Sequence, residues 1–238
     1  VLVKALIESG GQTGIIIRII SSVGDAINRR LIDLAIEELG PAPCKFAFIA
    51  MGSQGREEQT LTTDQDNAII TVNMQESYRH EAQAYFQLLA KKVNMELDTV
   101  GYRHCPGRIM AVNPKWNREL DGWKKYFSEW IKNSNPKNIL DTAIFFDFRC
   151  IYGEKILVEQ LRTHVNKISK SKSVFFYHMA RAINQMKIPV KPDDNLLDMK
   201  KVLLPLSSYI RLYAIRENLA ETGSMERARL LYEKEIFD

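Results

Sequence analysis

Residues 46–71 read FAFIAMGSQGREEQTLTTDQDNAIIT: two apolar runs joined by a Gly-Ser turn, a polar segment and two aspartates one residue apart. KFAFIAM and NAIITV are strand-like, and the segment between them is longer than a tight hairpin needs. Gly52 and Gly55 let the backbone approach a ligand closely, and free N–H groups at such a turn attract anions. Ser53 supplies a hydroxyl donor, and Arg56 a fork of donors suited to phosphate. Ten residues separate Ser53 from Asp64. In extended backbone Asp64 and Asp66 point to one side, so both carboxylates are expected to face the Gly-Ser turn. Two carboxylates set against a phosphate site repel each other unless a cation lies between them. Mg²⁺ is commonly held in this way, by one or two carboxylates plus substrate phosphates.

Neither half of the pattern is specific alone, since Gly-Ser-Gln-Gly is a common turn and Asp-x-Asp a common cap. Several alternatives are excluded. Ala68 and Ile69 stand where an EF-hand loop needs oxygen ligands and a glycine. No Gly-Lys-Ser/Thr follows the glycines, so there is no Walker loop, and the Gly-x-Gly-x-x-Gly fingerprint is missing. It is the combination of strand, Gly-Ser, spacer, Asp-x-Asp and strand that points to a nucleoside triphosphate and its metal.

Around this segment the pattern is mostly helical. Residues 12–39 carry Ile16, Ile19, Ile20, Val23, Ile27, Leu31, Leu34 and Ala35 at helical spacing before Gly40-Pro41. Helix is also expected over 75–97, and a third strand over GRIMAV, residues 107–112. Beyond Trp116 the strand signal stops, and helices are expected over 119–132, 136–151, 154–168, 173–187, 196–218 and 224–236. Pro205 predicts a break or kink in the fifth of these, and KNSNP and KIPVKPDDN read as linkers. Trp116, Trp123 and Trp130 recur every seven residues, as on one buried helix face. The fold class read from this order is α+β, a small mixed-sheet module followed by an all-helical bundle. The expected divisions are 1–40 as an N-terminal connector, 41–118 as the sheet module and 119–238 as the helical domain.

The chain of 238 residues is 45% hydrophobic, enough for a substantial core, and carries a formal net charge of +4. That charge suits an acidic partner such as nucleotide phosphate without demanding nucleic acid. Cys44, Cys105 and Cys150 are odd in number and form no Cys-x-x-Cys pair, which speaks against a disulfide framework and for a reducing compartment. His104-Cys105 adjacency is a poor arrangement for two ligands of one tetrahedral ion, so no zinc site is read. No run approaches the length that spans a bilayer, and a cytoplasmic location is expected. The chain opens on Val1 rather than Met, the start expected of a piece of a longer protein.

Gly52-Ser53 followed by Asp64-x-Asp66 resembles the signature of the polymerase-β-like nucleotidyltransferase superfamily. The fuller string MGSQGREEQTLTTDQDNAII resembles one branch, the DUF294 nucleotidyltransferases, relatives of protein-PII uridylyltransferases and glutamine-synthetase adenylyltransferases. CPGRIMAVNPKW (105–116), DTAIFFDFRCIYGE (141–154) and LDMKKVLLPLSSYIRLYAIRENL (197–219) resemble later segments of that family, so the likeness covers most of the chain. The resemblance implies a nucleotidyltransferase domain over 41–118 and a helical substrate-binding domain over 119–238. It implies metal (Mg²⁺ or Mn²⁺) on Asp64 and Asp66, and triphosphate contacts from Gly52 and Ser53; Gly55 and Arg56, read from the turn itself, are expected to complete the cradle. The reaction implied is transfer of a nucleoside monophosphate to an acceptor hydroxyl, in the uridylyltransferase relatives a tyrosine on a small signalling protein. Upstream cyclic-nucleotide-binding or CBS modules are frequent in the branch, with residues 12–39 then acting as a connector.

The superfamily usually places a third carboxylate on a later strand. Here the strand expected there, 107–112, has no acid; Asp98 lies upstream, and Glu119 and Asp121 lie beyond. A nucleotide sensor that binds without transferring is therefore the alternative from a different class. A nucleic-acid-end-modifying enzyme is a third reading, disfavoured by the modest charge.

Overall fold

The computed structural model describes residues 2–134, 139–188 and 198–237. Residues 135–138 and 189–197 lie outside the described residues, and with them parts of the two linkers and the starts of the helices expected over 136–151 and 196–218. The chain forms two compact units, Val1–Trp123 with Asp147–Leu161, and Lys124–Phe146 with Arg162–Asp238.

The first unit is built on a four-stranded mixed sheet. Its strands are β1 (Phe46–Ala50), β2 (Asn67–Thr71), β3 (Asn117–Glu119) and β4 (Arg149–Gly153), in the order β3-β2-β1-β4. β1 lies antiparallel to β2 and to β4, and β2 lies parallel to β3. Every residue of β1 and β2 is buried, which is why both read as continuous apolar runs rather than alternating ones. Preceding and interleaving helices are α1 (Leu2–Glu8), α2 (Thr13–Leu39), the four-residue α3 (Gly52–Gly55) and α4 (Glu76–Thr99). Ile32 and Ala35 of α2 and Phe86, Leu89 and Val93 of α4 join Phe46, Phe48, Ala50, Ile69 and Ile151 in one core. Phe46 and Phe86 meet with ring centroids 5.0 Å apart.

Three expectations need correction here. Residues 107–112 are not a strand. The amides of Ala111 and Val112 are taken by the side chains of Asn67 (2.8 Å) and Asn94 (2.9 Å), so side-chain acceptors replace a strand ladder. Strands also do not stop at Trp116: β3 follows at once, after a 3₁₀ turn over Pro114–Trp116 that takes Trp116 off the helical face, and β4 replaces the end of the helix expected over 136–151. Finally, α2 does not bury its apolar stripe alone. Ser21, Gly24, Asp25, Asn28, Ile32 and Ala35 face inward, while Val23 and Leu34 are exposed. Hydropathy cannot reveal a helix face whose task is to hold polar partners.

The second unit is helical. It contains α6 (Ile139–Ala143), α8 (Ser173–Asn184), α9 (Met199–Arg216) and α10 (Ser224–Glu233), together with parts of α5 (Leu120–Lys132) and α7 (Lys155–Ser169). Phe146 packs between Phe127 and Phe175 at centroid distances of 5.2 and 5.7 Å. α9 runs through Pro205 without the expected break, and its Arg211 is buried. None of the described helices is long and apolar enough to cross a membrane.

Candidate active site at the Gly-Ser turn and the paired aspartates

β1 ends at Ala50, and the Met51 amide donates to the Asp66 carbonyl at 2.8 Å, extending the β1–β2 pairing by one residue. This bond places Gly52 beside Asp66. Gly52 has φ 57°, a left-handed conformation that turns the chain off the strand and into α3. The amides that open α3 have no helical acceptors, as at any helix start. Among the described residues, the Ser53 hydroxyl and the Asp64 carboxylate have no hydrogen-bond or ion-pair partner, and each is only half-buried.

The turn is held from behind. Asp25 of α2 accepts from Arg149 of β4 through both oxygens, at 2.7 and 3.1 Å, and from Gln54 Nε2 at 3.2 Å. Arg149 also donates to the Gln54 carbonyl at 3.0 Å. Gln54, at the centre of α3, is thus gripped on side chain and backbone by one bidentate pair. Gly55 presses against the chain after α6: a Cβ there would lie 1.8 Å from the Asp147 carbonyl oxygen. Arg56, expected among the phosphate donors, directs Nε to Glu58 and Nη1 to the fully buried Asp147, both at 2.8 Å. Burial works against the Arg56 charge, but these two carboxylates outweigh it and raise its pKa. Asp147 and Arg149 are therefore not paired with each other; each anchors a different residue of the Gly-Ser segment.

Asp64 and Asp66 come together as the alternation of extended backbone requires. Gln65, between them, points away, donating to the carbonyls of Asn94 (3.0 Å) and Tyr102 (2.7 Å). The backbone bonds Gln65 N to Arg103 O (2.9 Å) and Asn67 N to Ile109 O (3.1 Å) pin the segment 103–109 alongside. That segment bulges at Cys105-Pro106-Gly107 and delivers Cys105 to the aspartates. One carboxylate oxygen each from Asp64 and Asp66 and the Cys105 sulfur all lie within 4.8 Å of one another.

The sequence reading missed Cys105 because it sought a carboxylate on a strand, and the residue is a thiol on a loop. The buried Gln65, Asn67 and Asn94, which hold that loop, were the available signal. Burial is the main cause that pushes the Cys105 thiol up to about 11; backbone N–H groups of Ile109 and Gly107 oppose the shift, and Asp66 adds to it. Glu119 is not the missing carboxylate. It pairs with Thr71 at the other end of β2, about 16 Å along the strand from Asp66, and accepts from Arg79 at 2.6 Å. Asp98 and Asp121 are exposed.

Two carboxylates and a thiol at this spacing form a donor set that fits one divalent cation. The fit rests on the donors themselves: Asp66 and Cys105 are buried side by side, and a cation offsets the charge of the pair of aspartates. A cavity of 570 Å³ along β4, lined by Arg29, Arg149, Tyr152 and Lys155 among others, contains none of these donors.

With this geometry in hand, the comparisons are direct. The family model "Putative nucleotidyltransferase DUF294" matches residues 1–137, and "Putative nucleotidyltransferase substrate binding domain" matches residues 173–238. The chain belongs to the DUF294 nucleotidyltransferase family. No curated protein matches it.

Proposed function

We propose that the chain transfers a nucleoside monophosphate from a nucleoside triphosphate to an acceptor hydroxyl, with Mg²⁺ or Mn²⁺ held by Asp64 and Asp66. A divalent ion supplies charge neutralisation at the phosphates and orientation of the reacting oxygens. Gly52 and Ser53 take the triphosphate: the left-handed Gly52 brings the backbone close, and the partnerless Ser53 hydroxyl donates to a phosphate oxygen. Gly55 and Arg56 set the shape of the turn through Asp147. The acceptor oxygen forms a bond to the α-phosphorus, the α–β bridge breaks, pyrophosphate leaves, and the acceptor proton passes to solvent. Residues 173–238, matched by the substrate-binding model, supply the acceptor specificity. A tyrosine of a signalling protein, as in uridylyltransferases, is the first acceptor to try.

The observation that carries this reading is the placement of Asp64 and Asp66 beside Gly52 by the Met51–Asp66 bond. Pyrophosphate release from ATP, UTP, CTP and GTP, with and without divalent metal and with candidate acceptors, tests it. Release that requires metal supports transfer; none with any nucleotide or acceptor counts against it.

One observation favours a second reading. The third group beside the two aspartates is a thiol pushed up to about 11, which keeps its proton at neutral pH, whereas an ionised carboxylate there could take the acceptor's proton. A sensor that binds nucleotide and metal without turnover would need no such base. Metal-dependent binding without release, acceptors included, distinguishes it.

A further inference from the structure

The loop that carries Cys105 is fastened with unusual completeness for a segment without regular structure. Asn67 and Asn94 satisfy the amides of Ala111 and Val112, Gln65 bridges Asn94 and Tyr102, and the backbone of the Asp-x-Asp segment bonds it on both sides of the cysteine. Within the loop, the Arg108 amide donates to the Cys105 carbonyl at 2.9 Å and Arg108 adopts φ 53°, closing a turn directly after the cysteine. The turn therefore holds the sulfur within 4.8 Å of one oxygen from each of the two carboxylates. Cys44 and Cys150 lie elsewhere, and all three cysteines are free.

We infer that Cys105 is the third protein ligand of the metal held by Asp64 and Asp66, and that it sets the site's preference for a borderline, thiophilic divalent ion over Mg²⁺. The inference takes its metal from the function proposed above and adds the residue that chooses among metals. Carboxylate, carbonyl and water suit Mg²⁺ and Mn²⁺, whereas a thiolate favours Zn²⁺ and Co²⁺ over hard ions. Binding forms the metal–sulfur bond and breaks the S–H bond, and the proton leaves to buffer. Charge balances: two carboxylates and one thiolate against a dication leave one net negative charge.

Co²⁺ is the probe, because thiolate coordination gives it a near-ultraviolet charge-transfer band that oxygen ligands do not. Metal-free full chain titrated with Co²⁺ should develop this band at one equivalent. Cys105→Ser should lose the band and bind Co²⁺ about tenfold or more weakly, while Cys44→Ser and Cys150→Ser retain it. Cys105→Asp should bind metal without the band and shift the preference towards Mg²⁺, which keeps the test decisive if the serine variant fails to fold. A parent without the band, or a band that survives Cys105→Ser, overturns the inference. So does a band unchanged in Asp64→Asn, since sulfur would then bind without the carboxylates. Failure here is separable from failure of the proposed function: pyrophosphate release without the band leaves transfer standing, and the band without nucleotide binding leaves only a metal site.

Discussion

Asp25 and Arg149 form a bidentate ion pair, 2.7 and 3.1 Å, across the back of the Gly-Ser turn, although 124 positions of sequence separate them. Asp25 is almost fully buried, and Gln54 lies in the grip of both residues. Removing Asp25 leaves the Arg149 guanidinium with only the longer carboxylate contact to Glu57, 3.6 Å, and leaves Gln54 Nε2 without its acceptor, so truncation costs more than the pair contributes. Asp25→Ala is expected to lower stability by about 3 kcal/mol, measured by denaturant unfolding, and to weaken nucleotide binding. Arg149→Lys should not restore either, because an ammonium cannot reproduce the fork.

Gly55→Ala tests the close approach at the end of α3. Its Cβ would meet backbone, the Asp147 carbonyl at 1.8 Å, so no side-chain rotation relieves it. A loss of about 3 kcal/mol or more is expected. Gly14→Ala, with nothing within 4 Å of its Cβ in the first turn of α2, is the control and should gain up to about 1 kcal/mol.

Asn94→Ala removes a side chain that satisfies Gln65, Asn67 and Val112 together. Leaving such groups buried and unpaired costs about 2–3 kcal/mol. The loop carrying Cys105 should loosen, so alkylation of Cys105 at neutral pH should accelerate in this variant relative to the parent, read by mass spectrometry.

Tyr152 of β4 reports the docking of α2. Burial is the main cause, and a hydrogen bond to Asp33 the next, that pushes its phenol up to about 12. The folded state holds this proton more tightly than the unfolded chain, where tyrosine titrates near about 10. The stabilisation it contributes is complete below that value and is lost as pH rises towards about 12. Phenolate absorbance should show the Tyr152 ionisation lowered in Asp33→Asn but still above the ordinary tyrosine value, because burial remains, with Tyr152→Phe as the blank; an unchanged titration would contradict the contact.

Much of the first unit was legible in its apolar runs. β1, β2, α2 and α4 stand where periodicity placed them, because long buried elements leave a strong hydropathy signal. β3 and β4 were not legible: β3 is three residues long, and β4 emerges from FFDFRCIYG, an apolar run whose period does not separate strand from helix. At the site, Asp64 and Asp66 were readable because alternation in extended backbone is local. Asp25, Asp147, Arg149 and Cys105 were not, because each meets the Gly-Ser or Asp-x-Asp segment only through tertiary folding.

The most direct measurement is calorimetric titration of nucleoside triphosphate into the parent and into Asp64→Asn with Asp66→Asn, each with and without Mg²⁺ or Mn²⁺. The parent should bind in a metal-dependent manner. The double variant should lose that binding while its unfolding curve shows an intact fold, since removing two neighbouring negative charges relieves repulsion. Equal binding by the double variant and the parent would contradict the assignment of the site.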